Sequence, residues 1–160
     1  MKLRVGFGYD VHRLAAGREL WLGGVKIPHE TGLLGHSDAD VLTHALCDAL
    51  LGASNLRDIG CHFPDTSSEF KNANSIVLLK KTMQLIHEKG YKLGNADMTI
   101  CAERPKINPY IPEMIKTIAQ AMHAAESDVS IKATTTEKLG FVGKEEGMAA
   151  YAVVLLEKVL

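Results

Sequence analysis

The sequence predicts an α+β fold, a sandwich with helices packed on one face of a mixed or antiparallel sheet. Strand-like segments stand at the start, middle and end of the chain, and segments with a 3.6-residue apolar period lie between them. Such an order forms two packed layers. Its 160 residues, 46% of them hydrophobic, suit one domain with its own core, and residues 1–160 read as that single domain. No composition shift, repeat or low-complexity tract divides them.

Residues 2–10 alternate loosely around Val5 and Phe7 and suit a strand. Apolar residues on both sides of Gly23-Gly24, within residues 19–28, predict a hairpin turn. Ser37 is expected to open a helix, with Asp40 three residues on as a short capping-box partner. Val41, Leu42, Ala45, Leu46, Ala49 and Leu50 then recur at helical spacing, and Gly52 lies near the end. Residues 53–73 read as an ordered loop. Asn74 caps a second helix that runs to Lys89 and stops at Gly90. Residues 91–103 predict a long strand interrupted at Gly94-Asn95. Pro109 or Pro112 starts a third helix with Met114, Ile115, Ile118, Ala119 and Met122 on one face. Residues 129–134 and 147–156 complete the set as strands.

Charge and cysteine usage narrow the function. Eighteen basic residues against nineteen acidic ones exclude the broad basic face of a nucleic-acid binder, and equally an acidic disordered chain. Cys47, Cys61 and Cys101 are odd in number and lack paired spacing, so neither a disulfide framework nor a thiolate zinc knuckle is expected. The longest apolar run, residues 148–156, is far short of the roughly 17–25 residues that span a bilayer. Residues 1–7 carry no signal-peptide core. A cytoplasmic protein without nucleic-acid or membrane partners is expected.

Five of the seven histidines fall in the first 62 residues, and three of those have chemically interesting neighbours. Asp10 and His12 are two apart in an extended segment, so they project to one face while Val11 is expected to turn inward. His44 shares a helical stripe with Asp40 and Asp48 at i, i+4 and i+8. An Asp/His/His set with one open position suits zinc, and Asp40 and Asp48 are expected to orient His44 through its second nitrogen. A polar helix face and an unrelated strand histidine would produce the same spacing. His36-Ser37, just before a helix, is placed for an anion. Thr134, Thr135, Thr136, Glu137 and Lys138 crowd hydroxyls, a carboxylate and an ammonium at a strand end, which suits phosphate and a bridging divalent ion as well as plain β-propensity. Glu103 to Lys106 is a candidate base or phosphate contact, or an ordinary charged loop. The 58–66 segment reads as a shaped, functional loop.

The strings GYDVHR (8–13), LGGVKIP (22–28), GLLGHSDADVLTHALCDALLGA (32–53), DIG (58–60), FPDT (63–66), GYKLGNAD (90–97), RPK (104–106) and ATTTEKLGFVGKEEG (133–147) cover most of the chain in order. Together they resemble the 2-C-methyl-D-erythritol 2,4-cyclodiphosphate synthase family of non-mevalonate isoprenoid biosynthesis. The resemblance implies a ferredoxin-like subunit in a homotrimer, with sites between adjacent subunits. It implies a phosphorus–oxygen lyase whose substrate is 4-diphosphocytidyl-2-C-methyl-D-erythritol 2-phosphate. In that reaction the 2-phosphate attacks the β-phosphate and expels CMP.

The same resemblance implies roles for individual residues. Asp10, His12 and His44 match ligands of one zinc per subunit, and Glu137 a ligand of a second ion, magnesium or manganese. His36 and Thr135 match transition-state stabilisers, and Ser37 a phosphate contact. Asp58, Ile59, Gly60, Phe63, Pro64, Asp65, Thr66 and Ser67 match the methylerythritol pocket. Ala102, Glu103, Arg104, Pro105, Lys106, Ile107 and Asn108 match the cytidine side with Thr134 and Thr135, and Thr136, Phe141 and Lys144 complete the substrate contacts. Two positions depart from the family pattern. Ala39 stands where Gly is common and is expected to sit comfortably in a helix. Lys144 stands where some members have Arg, in a part of the chain that would line the trimer axis. A zinc-dependent phosphohydrolase and a non-catalytic trimeric isoprenoid-binding protein are the rival readings.

Overall fold

A computed structural model describes residues 2–159. Seven strands and five helices follow in the order β1 (Leu3–Ala16), β2 (Leu20–Leu22), β3 (Val25–Ile27), β4 (Thr31–Leu34), α1 (Val41–Ala53), α2 (Ile59–His62), α3 (Ser75–Glu88), β5 (Tyr91–Cys101), α4 (Ile111–Met122), β6 (Val129–Thr134), α5 (Gly140–Gly143) and β7 (Gly147–Lys158). The main sheet has the order β4-β1-β7-β5-β6, and β5–β6 is its one parallel pair. The expected mixed sheet is therefore present. The 2–10 strand runs on to Ala16 and gains β4 as a partner, a pairing that the Gly-rich 31–35 segment does not advertise.

The hairpin turn falls at Gly23-Gly24, where both residues have positive φ, 58° and 75°. A primed turn of this kind needs residues that tolerate the left-handed region. The break expected at Gly94-Asn95 is a bulge between Leu93 and Asn95. Asn74 caps α3 as anticipated, accepting from the Ile76 amide at 2.8 Å. In α4, Pro112 occupies the first turn.

Two expectations fail near α1. Ser37 does not open the helix: Asp40 is its cap, and its side chain accepts from the Thr43 amide at 3.1 Å. Ala39 is therefore not helical. Its φ is +56°, a left-handed value at which alanine is strained and glycine is not. The 53–73 loop also holds short helical turns, α2 and a 3₁₀ turn at Ser68–Phe70.

The position of α1 follows from small residues. A Cβ at Gly6 or Gly8 would lie 1.9 Å from the carbonyl oxygen of Ala49 or Ala45, so only glycine lets this helix settle onto β1. The helix is buried nearly all round, leaving only His44, Asp48 and Gly52 partly open. The opposite sheet face carries no such cover over Val5, Phe7, Tyr9, Val11, Tyr151 and Val153, all exposed. Among the described residues no helix is long and apolar enough to cross a membrane.

Candidate metal centre and substrate pocket

Asp10 and His12 lie inside β1, paired opposite Ala150 and Met148, and both project to the face covered by α1. Val11, expected to turn inward, instead points to the open face and is 43% exposed. Strand alternation forces that choice once its two neighbours face the helix. Close packing of α1 brings His44 onto the pair. Asp10 Oδ2 is 2.9 Å from His12 Nε2 and 3.2 Å from His44 Nδ1, and the two nitrogens are 3.2 Å apart.

These three atoms form a compact triangle that could hold a metal ion. Asp10 Oδ2 is buried, and neither imidazole meets it with hydrogen-bond geometry. An unpartnered buried carboxylate oxygen is costly, and a cation over the triangle would satisfy it. Burial pushes the Asp10 carboxyl up, but the two adjacent imidazoles outweigh it and hold the group at about 2. Burial likewise works against charge on His12, yet Asp10 raises its pKa overall. His12 Nδ1 lies 2.9 Å from the Leu34 carbonyl oxygen, which can only accept. In the neutral ring, Nε2 then offers its lone pair to the triangle.

The expected orienting partners of His44 are wrong. Asp40 is fully buried and spends its carboxylate on four donors: the amides of Gly23, Gly24 and Thr43 and the Thr43 hydroxyl. Burial, followed by the nearby Asp38 charge, raises its carboxyl. Asp48 accepts from the Ile59 amide at 2.7 Å, fastening α2 to α1. His44 Nε2 instead meets Ser75 Oγ at 2.8 Å and Ser37 Oγ at 3.2 Å. The i, i+4 stripe exists, but Asp40 is committed to the Gly23-Gly24 turn and the first turn of α1, and Asp48 to the start of α2.

A cavity of about 210 Å³ opens beside the triangle. His36, Ser37, Ile59, Gly60, Phe63 and Asp65 line it with Asp10, His12 and His44. His36 Nε2 sits 3.2 Å from the Ser67 carbonyl oxygen. Asp58 caps α2 by accepting from the Cys61 amide, while Pro64 and Thr66 are exposed outside the lining. Phe70 and Leu78 also line the cavity and carried no sequence signal beyond apolar character. Phe70 meets the Phe63 ring edge-on at 5.3 Å.

The later group of expected residues assembles elsewhere. The Ala102 amide donates to the Thr134 carbonyl at 3.0 Å, and the Glu103 carboxylate accepts from the Lys138 amide at 2.8 Å. Arg104 does not present a free guanidinium: it pairs with Glu145 and Glu30 at 2.8–3.0 Å, and these carboxylates raise its pKa. Thr135 Oγ1 accepts from the Glu137 amide, and the Thr136 hydroxyl donates to the Leu139 carbonyl. Ile107 is buried, whereas Lys106, Asn108, Thr135, Glu137, Phe141 and Lys144 are exposed. Pro105 is half-buried.

Val11, Ala149, Cys101 and Thr134 stand in register across β1, β7, β5 and β6. The second group is thus level with Asp10 and His12 but three strand spacings away, roughly 14 Å. Val142 of α5 packs with Cys101 and Ala149 on the face opposite the triangle. Within one chain the two groups do not converge.

Fold and site define an α+β domain in which a strand and a helix aim a carboxylate and two imidazoles into a cavity that also has apolar walls. Residues 3–157 match the model of the YgbB family. The 2-C-methyl-D-erythritol 2,4-cyclodiphosphate synthase of Parabacteroides distasonis is 66% identical over 99% of this chain and 98% of its own length. That of Phocaeicola vulgatus is 68% identical, covering 99% of both. A Plasmodium falciparum IspF in complex with CDP superposes with a TM-score of 0.87 at 36% identity, covering 99% of this chain and 97% of that one. Bifunctional IspDF from Campylobacter jejuni gives a TM-score of 0.95 at 45% identity, and this chain spans 42% of its length. The chain belongs to the YgbB family of cyclodiphosphate synthases, lyase-type enzymes of isoprenoid biosynthesis.

Proposed function

We propose that this chain converts 4-diphosphocytidyl-2-C-methyl-D-erythritol 2-phosphate into 2-C-methyl-D-erythritol 2,4-cyclodiphosphate and CMP, in the cytoplasm, as a homotrimer. The observation that carries this reading is the orphaned Asp10 Oδ2, which converges with His12 Nε2 and His44 Nδ1 beside the pocket. One carboxylate and two imidazoles are a zinc donor set, and their 2.9–3.2 Å separations suit the edges of a small tetrahedral site. Asp10, His12 and His44 would hold zinc, which as a Lewis acid withdraws charge from a phosphate oxygen. Glu137 would hold the second ion, magnesium or manganese, at the diphosphate.

The residues do the rest by position. Nucleophile and electrophile share one molecule, and a well-oriented intramolecular attack gains up to roughly 7–11 kcal/mol. His36 and Ser37 approach the reacting phosphate from the pocket wall, and Thr135 brings a hydroxyl to the developing charge. Ile59, Gly60, Phe63 and Asp65, with the flanking Asp58, Pro64, Thr66 and Ser67, enclose the methylerythritol. Residues 102–108 with Thr134 and Thr135 receive the cytidine and its phosphates, and Thr136, Phe141 and Lys144 complete the substrate contacts, Lys144 from the part of the chain that would line the trimer axis. The attacking phosphate is already anionic, so no general base is needed. The CDP held by the Plasmodium falciparum relative supports a cytidine-side pocket here.

A CMP-release assay with and without a chelator tests the proposal. Turnover should vanish on chelation and return with zinc plus magnesium, and His44→Ala should lose zinc and nearly all activity while keeping its fold. A linear phosphate product would indicate hydrolysis instead, and ligand binding without CMP release would remove the catalytic reading.

A further inference from the structure

We propose that Asp38 and Ser75 are positioning residues that fix which nitrogen of His44 carries its hydrogen, so that Nδ1 presents a lone pair to Asp10 and His12. The inference rests on reading that trio as the metal site. It starts from His44 Nε2, the nitrogen turned away from Asp10. Ser75 Oγ lies 2.8 Å from it. Ser75 is the first residue of α3 and is completely buried, and its hydroxyl also closes on Asp38 Oδ1. The Asp38 carboxylate accepts at the same time from the Ser75 amide at 2.9 Å and the Asp40 amide at 3.1 Å.

The direction of this chain follows from donor counting. A carboxylate only accepts, so the single Ser75 proton goes to Asp38. The Ser75 oxygen then has only a lone pair for His44. His44 Nε2 must carry the hydrogen, and Nδ1 presents its lone pair to Asp10 and His12. Ser37 Oγ, farther from Nε2 at 3.2 Å, accepts from the Ala39 amide and does not set this polarity, because no carboxylate fixes its proton. His12 is fixed independently by the Leu34 carbonyl. The two imidazoles are thus oriented by different devices, one a backbone oxygen and the other a hydroxyl–carboxylate relay reaching in from α3. A hydrogen bond to the second nitrogen sets both the tautomer and the basicity of a ligating histidine.

Asp38→Asn keeps the shape but turns an acceptor into a donor. The amide can donate to Ser75, whose proton is then released toward His44, favouring the wrong tautomer. Zinc affinity, measured by competition with a chromogenic chelator, should fall about 10–100-fold with circular dichroism unchanged. In metal-free protein at alkaline pH, ¹H–¹⁵N spectra should show His44 as Nε2–H in the wild type and shifted toward Nδ1–H in the variant. Ser75→Ala, which removes the hydroxyl and adds no bulk, should also weaken zinc binding. Unchanged zinc affinity in both variants, or an Nδ1–H ring in the wild type, overturns the relay. Failure of the wild type to bind zinc counts against the metal reading alone, because the wild-type spectrum still decides the relay.

Discussion

At Ala39 the chain turns through φ +56° so that Asp40 can reach the Gly23 and Gly24 amides while capping α1. An L-residue in that region carries roughly 1–2 kcal/mol of strain. Removing the methyl would relieve it, but the side chain is fully buried, and its loss forfeits about 0.8 kcal/mol of burial and adds unfolded-state freedom worth roughly 0.4–1 kcal/mol. These terms nearly cancel. Ala39→Gly should therefore leave stability within about 1 kcal/mol, even though it restores the residue common in the family. Ala39→Val adds β-branched crowding and overpacking to the strain that alanine already carries, and should cost roughly 1–3 kcal/mol in urea denaturation. Equal stability of the two variants would show that the turn is not held as described. The sequence alone did not reveal this strain, because Ser37 and Asp40 are both competent caps and only the turn between them decides which one serves.

The pairing of β1 with α1 is the element on which the triangle depends. Gly6 and Gly8 on the strand face Ala45, Ala49 and Ala53 on the helix, and this small-residue seam sets how far His44 stands from Asp10. In Gly8→Ala the new Cβ would meet the Ala45 carbonyl oxygen, and backbone cannot yield as a side chain can. The helix must rise, carrying His44 away from β1. This variant should lose zinc stoichiometry by elemental analysis and melt several degrees lower, while Gly52→Ala, with nothing near its Cβ, should keep both. Much of this element level was legible beforehand. The GG turn, the Asn74 cap, the Gly94-Asn95 bulge and β6 each rest on a local rule that the structure obeys. What was not legible depends on distant partners: β4 exists because β1 continues past His12, and Asp48 turns from His44 because α2 offers an amide. The side on which Val11 lies is not legible either, because alternation gives two faces and does not say which one is covered.

At the scale of the whole molecule, the two groups of site residues occupy the same end of the sheet yet stay apart. Asp10, His12 and His44 open on the helix side, whereas residues 139–146 fold onto the opposite face. That opposite face also exposes the apolar side chains of Phe7, Tyr9, Val11, Tyr151 and Val153, and the Tyr151 ring lies against both Phe7 and Tyr9. A closed ring of three chains, as proposed, would bury this face and bring the Lys106–Thr135 group of one subunit to the zinc group of the next. Mixing two inactive variants separates this from a site within one chain. His44→Ala damages only the metal half and Lys106→Ala only the cytidine half. After dissociation and random reassembly at equal amounts, about a quarter of the interfaces would combine an intact metal half with an intact neighbouring half. CMP release should recover to about that fraction of the wild-type rate, and neither variant alone should show it. Sites contained in single chains would stay inactive at every mixing ratio, because each chain carries one lesion. An active monomer in sedimentation would exclude the ring outright.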